Sequence, residues 1–193
     1  MPPEAANGLL VVLSGPSGVG KTSIAHGLLQ RFAGVFSVSA TTRPCGPGEV
    51  DGRDYHFVDE ARFQSMIDAG AFLEHAQVFG RSWYGTPREP VEAAMKLGQI
   101  AVLDIDVQGA EQVRRARPDM LGIFVLPPSP EDLLARLRRR AREDEATILR
   151  RFAQSQQEIA RAKSSHTYDS FVVNDDLAAC VELVCETVAA RRL

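Results

Sequence analysis

The sequence has few cysteines, no long apolar run and little net charge. Its 193 residues contain 3 cysteines, Cys45, Cys180 and Cys185, which form no C-x-x-C pair and no metal-ligand spacing. This spacing argues against a disulfide framework and indicates free thiols in a reducing compartment. No apolar run is long enough to span a bilayer, and the start lacks a basic-then-apolar export signal. We therefore expect a cytoplasmic protein without a membrane partner.

The charge distribution also excludes some partners. The formal net charge is −3, so there is no general basic field of the kind that attracts nucleic acid. The 4 histidines are scattered, and no Ser/His/Asp nucleophile set is indicated. Hydrophobic residues make up 45% and charged residues 24%, as is typical of one compact globular domain. The positive charge is concentrated within residues 136–151, at Arg136, Arg138, Arg139, Arg140, Arg142, Arg150 and Arg151.

A glycine-rich stretch, Gly15–Thr22, fits the pattern G-x-x-x-x-G-K-[ST] of phosphate-binding loops. An apolar run at 9–13 precedes it and helical spacing follows it, which favours a strand–loop–helix unit over an ordinary glycine-rich turn. The glycines allow successive N–H groups to face one anion, Lys21 supplies a mobile charge, and the Thr22 hydroxyl suits Mg²⁺. The pattern predicts binding of a nucleoside triphosphate, with ATP as cofactor, by Gly15, Pro16, Ser17, Gly18, Val19, Gly20, Lys21, Thr22 and Ser23.

Strand-like and helix-like segments alternate along the chain, which predicts an α/β fold with a parallel sheet covered by helices on both faces. Strands are predicted at 9–13, 35–39, 71–78, 100–103, 121–126 and 171–173. Helices are predicted after the phosphate loop, from Asp59 to Gly70, at 90–97, at 110–117, from Ser129 to about 162 with a break near 142–145, and at 177–190. Residues 84–87 are predicted to form a loop.

Five segments together resemble the guanylate kinase family: Ser37–Arg43, Gly48–Gly52, Tyr84–Thr86, Leu103–Gly109 and Val172–Leu177. The resemblance runs from about Gly8 to the last helix. It implies transfer of the γ-phosphoryl of ATP to GMP with Mg²⁺. It also implies a P-loop nucleoside monophosphate kinase-like fold with a core (1–37, 88–127 and 166–193), an inserted GMP-binding lobe (38–87) and a lid (128–165).

The resemblance also implies roles for individual residues. Guanine would be contacted by Ser39, Glu74, Thr86 and Asp106, and the GMP phosphate by Arg43, Tyr55 and Tyr84. Asp104 would hold Mg²⁺ with Thr22, and Asn174 would contact adenine. The catalytic residues would be Lys21, Arg43, Asp104, Arg140 and Arg151, with Arg136 as a further lid arginine and Arg139, Arg142 and Arg150 as neighbours.

The chemistry agrees with these roles, and structural alternatives stand beside them. Guanine presents N1–H and an exocyclic amine, which are both donors, so a carboxylate such as Glu74 matches guanine and leaves adenine poorly matched. Alternatively, Glu74 is a solvated carboxylate on a strand, and Tyr55 and Tyr84 only pack in the core or at its rim. Asp106 lies on the same strand face as Asp104 if the strand continues that far; alternatively it caps the next helix.

One position departs from the family pattern. Three residues after Arg43 the family usually has a second arginine, and this sequence has Gly46. A charge-assisted hydrogen bond contributes about 1.5–3 kcal/mol. We hypothesise that GMP binds more weakly here than is typical and that Gly46→Arg restores the binding. The alternative is that Arg53 or Arg81 takes the place of the missing second arginine.

Two other functions stay open at this point. Non-catalytic guanylate kinase-like modules bind phosphorylated partners, but they commonly lose the phosphate loop, and Lys21, Thr22 and Asp104 are all present here. A P-loop kinase for another small acceptor is the second alternative. The expected partners are the small molecules GMP and ATP, and the sequence leaves monomer or homo-oligomer undetermined.

Overall fold

The structure is a computed structural model that describes residues 8–78, 81–140 and 144–192, without the side chains of Val78 and Arg140. Its elements in chain order are β1 (Leu9–Ser14), α1 (Lys21–Arg31), β2 (Gly34–Phe36), β3 (Ala40–Thr41), β4 (His56–Phe57), α2 (Glu60–Asp68), β5 (Phe72–Val78), β6 (Ser82–Pro87), α3 (Arg88–Lys96), β7 (Ile100–Asp104), α4 (Val107–Ala116), β8 (Leu121–Leu126), α5 (Pro130–Arg140), α6 (Glu145–Ser164), β9 (Ser170–Val173) and α7 (Leu177–Arg191).

The main sheet has five parallel strands in the order β2-β7-β1-β8-β9. Alternate side chains of β1 enter two separate cores: Val11 packs with residues of α1, α5 and α7, and Val12 with residues of α3 and α4. Both faces of the sheet are therefore covered, which confirms the predicted α/β fold. In the part of the chain that the structure describes, no helix is long and apolar enough to cross a membrane.

A second, four-stranded sheet has the strand order β4-β3-β6-β5. The loop predicted at 84–87 is wrong, because these residues belong to β6, which pairs antiparallel with β5. Gly85 is typical of a turn in the sequence, but in the structure it allows Phe72 and Phe63 to pack closely against the strand. A Cβ there would lie 2.9 Å from Cδ1 of Phe72, whose ring stacks on Phe63 at 4.6 Å between centroids.

Other elements differ from prediction at their ends. The strand predicted at 35–39 ends at Phe36, and the chain then crosses to β3 in the second sheet. The helix predicted at 110–117 begins at Val107, and the one predicted at 90–97 begins at Arg88. The arginine-rich segment forms two helices as predicted, and α6 begins after Asp144, which accepts a hydrogen bond from Thr147 N at 2.7 Å. Residues 141–143 in the predicted break lie outside the described residues.

Candidate active site

The phosphate loop connects β1 to α1, as the sequence predicts. Gly15, Gly18 and Gly20 have φ angles of 146°, 90° and 95°, which residues with a Cβ rarely adopt. A Cβ on Gly15 would also lie 2.3 Å from the Val125 carbonyl oxygen, at the end of β8. The side chain of Val19 is fully buried, so it anchors the loop to the core. The loop conformation therefore depends on glycine for both its dihedral angles and its packing.

Lys21 and Thr22 meet Asp104 at the end of the neighbouring strand. The Lys21 ammonium donates to the carbonyls of Gly15 at 2.8 Å and Pro16 at 3.3 Å, and lies 3.6 Å from Asp104 Oδ1. The Thr22 hydroxyl donates to Asp104 Oδ2 at 3.0 Å. Parallel pairing of Leu13 with Asp104 brings these groups together. A hydroxyl and a carboxylate beside a phosphate site form an oxygen donor set that fits Mg²⁺, which also takes substrate phosphates and waters as ligands.

Two residues far along the chain contact the phosphate loop, and a third contacts one of these two. The buried Asn174 amide donates to the Val19 carbonyl at 2.6 Å, and Arg136 donates to the Asn174 carbonyl at 2.9 Å. Arg151 donates to the Ser17 hydroxyl at 2.7 Å. Asn174 thus shapes the loop, a role that the sequence did not indicate.

Several predicted nucleotide contacts remain predictions. The contact of Asn174 with adenine is one of them. The Arg140 side chain and all of Arg142 lie outside the described residues.

Glu74 and Thr86 face each other across β5 and β6. The Thr86 hydroxyl donates to Glu74 Oε1 at 2.6 Å, and both residues are buried. The pKa of Glu74 is raised to about 7, mainly by burial and also by the charge of Asp106, while the hydrogen bond from Thr86 opposes the shift. The alternative of a solvated strand carboxylate is therefore wrong for Glu74.

Asp106 caps α4 with one oxygen. β7 ends at Asp104, so Asp106 does not continue the strand face, and its Oδ1 accepts a hydrogen bond from Gly109 N at 2.8 Å. Gly109 lets the helix start approach the second sheet closely, because a Cβ there would lie 2.9 Å from Glu74 Oε2. The capping alternative is confirmed, and a contact of Asp106 with guanine stays a prediction.

Arg43 follows β3 and lies among aromatic side chains. Its Nε donates to the Tyr84 hydroxyl at 3.2 Å, and its Cζ lies 5.3 Å from the centroid of the Tyr55 ring. The two tyrosine rings meet edge to face at 5.8 Å. Burial raises the pKa of Tyr55, so its phenol stays a hydrogen-bond donor at neutral pH. This group of one guanidinium and two phenols can bind a phosphate.

One cleft connects these groups. It is lined by Ser17, Ser39, Tyr55, Glu74, Tyr84, Asp104 and Asp106, together with Gln154 and Glu158 of α6. The sequence reasoning missed Gln154 and Glu158, although Glu158 follows Arg151 by seven residues and shares its helix face. Burial raises the pKa of Glu158, while the charge of Lys21 opposes that shift.

The two arginines offered as substitutes at the phosphate site lie in different places. Arg53 lines an adjoining opening with Thr22, Tyr55 and Asp104, and its guanidinium pairs with Asp54 at 2.7 Å. Arg81 lines a different opening with Arg151.

Comparison with known proteins identifies the family. The sequence model of the guanylate kinase family matches residues 7–191. The chain is 45% identical to a guanylate kinase of Paramagnetospirillum magneticum (100% of this chain and 89% of that protein). It is 47% identical to one of Rhodopseudomonas palustris strain HaA2 (96% and 84%).

A crystal structure of the guanylate kinase from Anaplasma phagocytophilum matches with a TM-score of 0.78 and 34% identity, covering 97% of this chain and 88% of that one. The match extends over nearly the full length in sequence and in fold. The chain therefore belongs to the guanylate kinase family.

Proposed function

We propose that this guanylate kinase transfers the γ-phosphoryl group of ATP to GMP, giving ADP and GDP, with the residues of the cleft in the following roles. The observation that carries the proposal is the buried Glu74 carboxylate, which opens onto the same cleft as the phosphate loop. A carboxylate accepts from both guanine donors, whereas on adenine it can accept only from the amine and has no donor for the neighbouring ring nitrogen.

On the donor side, the loop N–H groups and Lys21 would hold the ATP phosphates. Thr22 and Asp104 would hold Mg²⁺, which supplies positive charge to the phosphate oxygens when bound. Lys21 is already oriented by the Gly15 carbonyl and by Asp104, so little rearrangement is needed when ATP enters. These residues are intact, which favours an enzyme over a non-catalytic module.

On the acceptor side, Glu74 and Thr86 would read guanine with Ser39 and Asp106, while Arg43, Tyr55 and Tyr84 would hold the GMP phosphate. The acceptor is already an anionic phosphate, so no side chain must remove a proton from it. Alignment and charge neutralisation therefore account for the catalysis. Arg151 is placed to add charge from α6, since it already reaches Ser17 of the loop.

The same geometry supports a division into three parts. The main sheet would form the core, residues 38–87 with the second sheet would form the GMP-binding lobe, and residues 128–165 would form the lid. Closure of the lid would bring Arg151, Arg140 and Arg136 onto the transferred group, where charge develops.

ADP release tests this function. With Mg²⁺ and ATP, we expect release with GMP and far less with AMP, CMP or UMP. Glu74→Gln keeps the side-chain size but presents an amine to the guanine donors. We expect kcat/KM for GMP to fall about 10- to 150-fold, which corresponds to about 1.5–3 kcal/mol for a hydrogen bond to a charged group. Glu89→Ala, an exposed glutamate of α3, is the control and should change nothing. A preferred acceptor other than GMP would contradict the proposal.

A further inference from the structure

Glu49 makes a two-point contact with Arg43 that none of the roles above explains. Its Oε1 accepts from Arg43 Nη2 at 2.7 Å and its Oε2 accepts from Nη1 at 2.8 Å. Oε2 also accepts from Gly46 N at 2.6 Å. The side chains of Arg43 and Glu49 are 31% and 27% exposed, so the pair is partly shielded from water. A bidentate pair of this kind fixes the plane of a guanidinium as well as its position.

The donor count of Arg43 shows which edge of the guanidinium this arrangement leaves open. A guanidinium has five N–H donors. Nη1 donates to Glu49 and to the Pro44 carbonyl, Nη2 donates to Glu49, and Nε donates to the Tyr84 hydroxyl. Among these contacts one Nη2 hydrogen is left over. The Tyr84 hydroxyl accepts from Nε, so its own hydrogen is directed elsewhere. The remaining Nη2 hydrogen is on the Nε side of the guanidinium, beside the Tyr84 hydroxyl that accepts from Nε, because Glu49 occupies the edge between Nη1 and Nη2.

Gly46 provides the room for the carboxylate. Its φ angle is not in the left-handed region that favours glycine, so the backbone alone does not require glycine there. A Cβ at this position would lie 2.8 Å from Glu49 Oε2 and 3.4 Å from Glu49 Cδ. Any side chain at position 46 would therefore push the Glu49 carboxylate away from Arg43.

We propose that Glu49 is a positioning residue for the acceptor nucleotide: it holds Arg43 so that its free edge and the Tyr84 hydroxyl face the phosphate of the nucleoside monophosphate together. We call the bidentate Glu49–Arg43 pair the clamp. Gly46 permits the clamp because it has no side chain to displace the Glu49 carboxylate. The inference rests on the proposed function, because it assigns the phosphate of GMP to Arg43 and Tyr84. Arg43 lowers the pKa of Glu49, so the clamp stays charged at neutral pH.

The clamp removes an entropic cost from GMP binding, namely the ordering of the Arg43 side chain. A free arginine on a Gly/Pro-rich loop samples many rotamers, and the phosphate would have to order it on arrival. With Glu49 in place, that ordering has occurred before GMP binds. The effect should therefore be found in KM for GMP, and not in kcat or in KM for ATP.

Glu49→Gln tests the clamp, because the amide keeps the size but has only one oxygen, so it cannot pair separately with Nη1 and Nη2 of Arg43. We expect KM for GMP to rise about fivefold to tenfold, with kcat and KM for ATP within twofold of wild type. Glu182→Gln is the matched control. It breaks an equally bidentate glutamate–arginine pair, with Arg31 on the surface between α1 and α7, and should leave all three constants unchanged.

Gly46→Ala tests the same clamp from the other side. We expect this single substitution to raise KM for GMP as Glu49→Gln does. In a Glu49→Ala background it should add nothing further, because the carboxylate that the methyl group displaces is gone. Thermal unfolding of each variant separates a local effect from loss of the fold.

Three outcomes would overturn parts of this account. An active wild type whose KM for GMP is unchanged by Glu49→Gln would refute the clamp alone. A lower KM in that variant would also refute it, because it would show that Glu49 competes with the phosphate for Arg43. A wild type without GMP-dependent ADP release and without GMP binding by calorimetry would overturn the proposed function and this inference together.

Discussion

The phosphate loop orients Lys21 mainly with the main-chain carbonyls of Gly15 and Pro16, whereas the loop after β3 holds Arg43 with the Glu49 side chain. The donor side of the cleft is almost continuous in sequence, from residue 15 to residue 22, with Asp104 added from the adjacent strand. The acceptor side draws its residues from β5 and β6 of the second sheet, from the loops beside β3 and β4, and from the residue that caps α4.

This difference has a physical origin. Main-chain N–H groups can surround a triphosphate whatever its base, so the donor side recognises phosphate through backbone shape. The acceptor side must distinguish one base from others, and only side chains carry that information. Donor-side variants should therefore affect catalysis and loop conformation. Acceptor-side variants should affect KM for GMP and its dependence on pH.

The largest expected effect is on the donor side. Lys21→Ala removes the charge that the proposed function assigns to the ATP phosphates, and the loop carbonyls cannot replace it. Removing one preorganised donor typically lowers kcat by about 10²–10³, and we expect a loss in this range in the ADP-release assay. Lys96→Ala, at an exposed position in α3, is the control. A loss of less than tenfold would show that Lys21 is not central to transfer.

Gly15→Ala tests whether backbone shape builds the donor side. The alanine would have φ near 146° and a Cβ 2.3 Å from the Val125 carbonyl oxygen. We expect the free energy of unfolding to fall by about 3 kcal/mol or more. Gly70→Ala is the matched control: its φ is 63° and no atom lies within 4 Å of the added Cβ. There only dihedral strain of about 1 kcal/mol applies. Equal losses of stability in a denaturation experiment would contradict the role of close packing at Gly15.

The acceptor side should respond to pH through Glu74. Its pKa is about 7 in the free protein, and in its proposed role it is the charged carboxylate that accepts from both guanine donors. KM for GMP should therefore rise about tenfold for each pH unit below 7 and level off above 8. Glu74→Gln removes this dependence but retains the titration of the GMP phosphate, whose second pKa is about 6. Identical profiles for the two proteins between pH 6 and 8 would argue against Glu74 as the base-reading group.

The raised pKa of Glu74 also links stability to pH. The folded protein disfavours the charged form, so the stability is full below the unfolded pKa of about 4.3 and declines as the pH rises to about 7. Above pH 7 the loss is constant. Unfolding of wild type and Glu74→Gln should therefore diverge between about pH 4.3 and 7, with the wild type losing stability relative to the variant.

The smallest expected effect is that of Gly46→Arg. The sequence alone predicts that this arginine strengthens GMP binding. The structure adds an opposing term, because the new Cβ would displace the Glu49 carboxylate from Arg43. We expect KM for GMP to change less than about threefold, since one charge-assisted contact is gained while an ordered one is lost. A tenfold decrease in KM would mean that a second cation matters more than the orientation of the first.

Much of this protein was predictable from contiguous residues. Gly15, Gly18 and Gly20 with Lys21 predict the loop conformation, and Asp59 predicts the start of α2, which it caps by accepting from Arg62 N at 2.7 Å. The fold class and the family were predicted and are confirmed. The division of the chain into core, lobe and lid stays a prediction, as do the roles of the site residues.

Elements with local signals were predictable from the sequence: apolar runs, capping residues, and glycines with φ angles that other residues rarely adopt. Three features emerge only from the folded chain: Gly85 lies in a strand against Phe72, Asn174 holds the phosphate loop, and Glu49 holds Arg43. Each of these depends on a contact between separate elements or on the path of an irregular loop. Hydrophobic periodicity and capping signals report the conformation of neighbouring residues, and they contain no information about which distant or loop atoms will come within hydrogen-bonding distance.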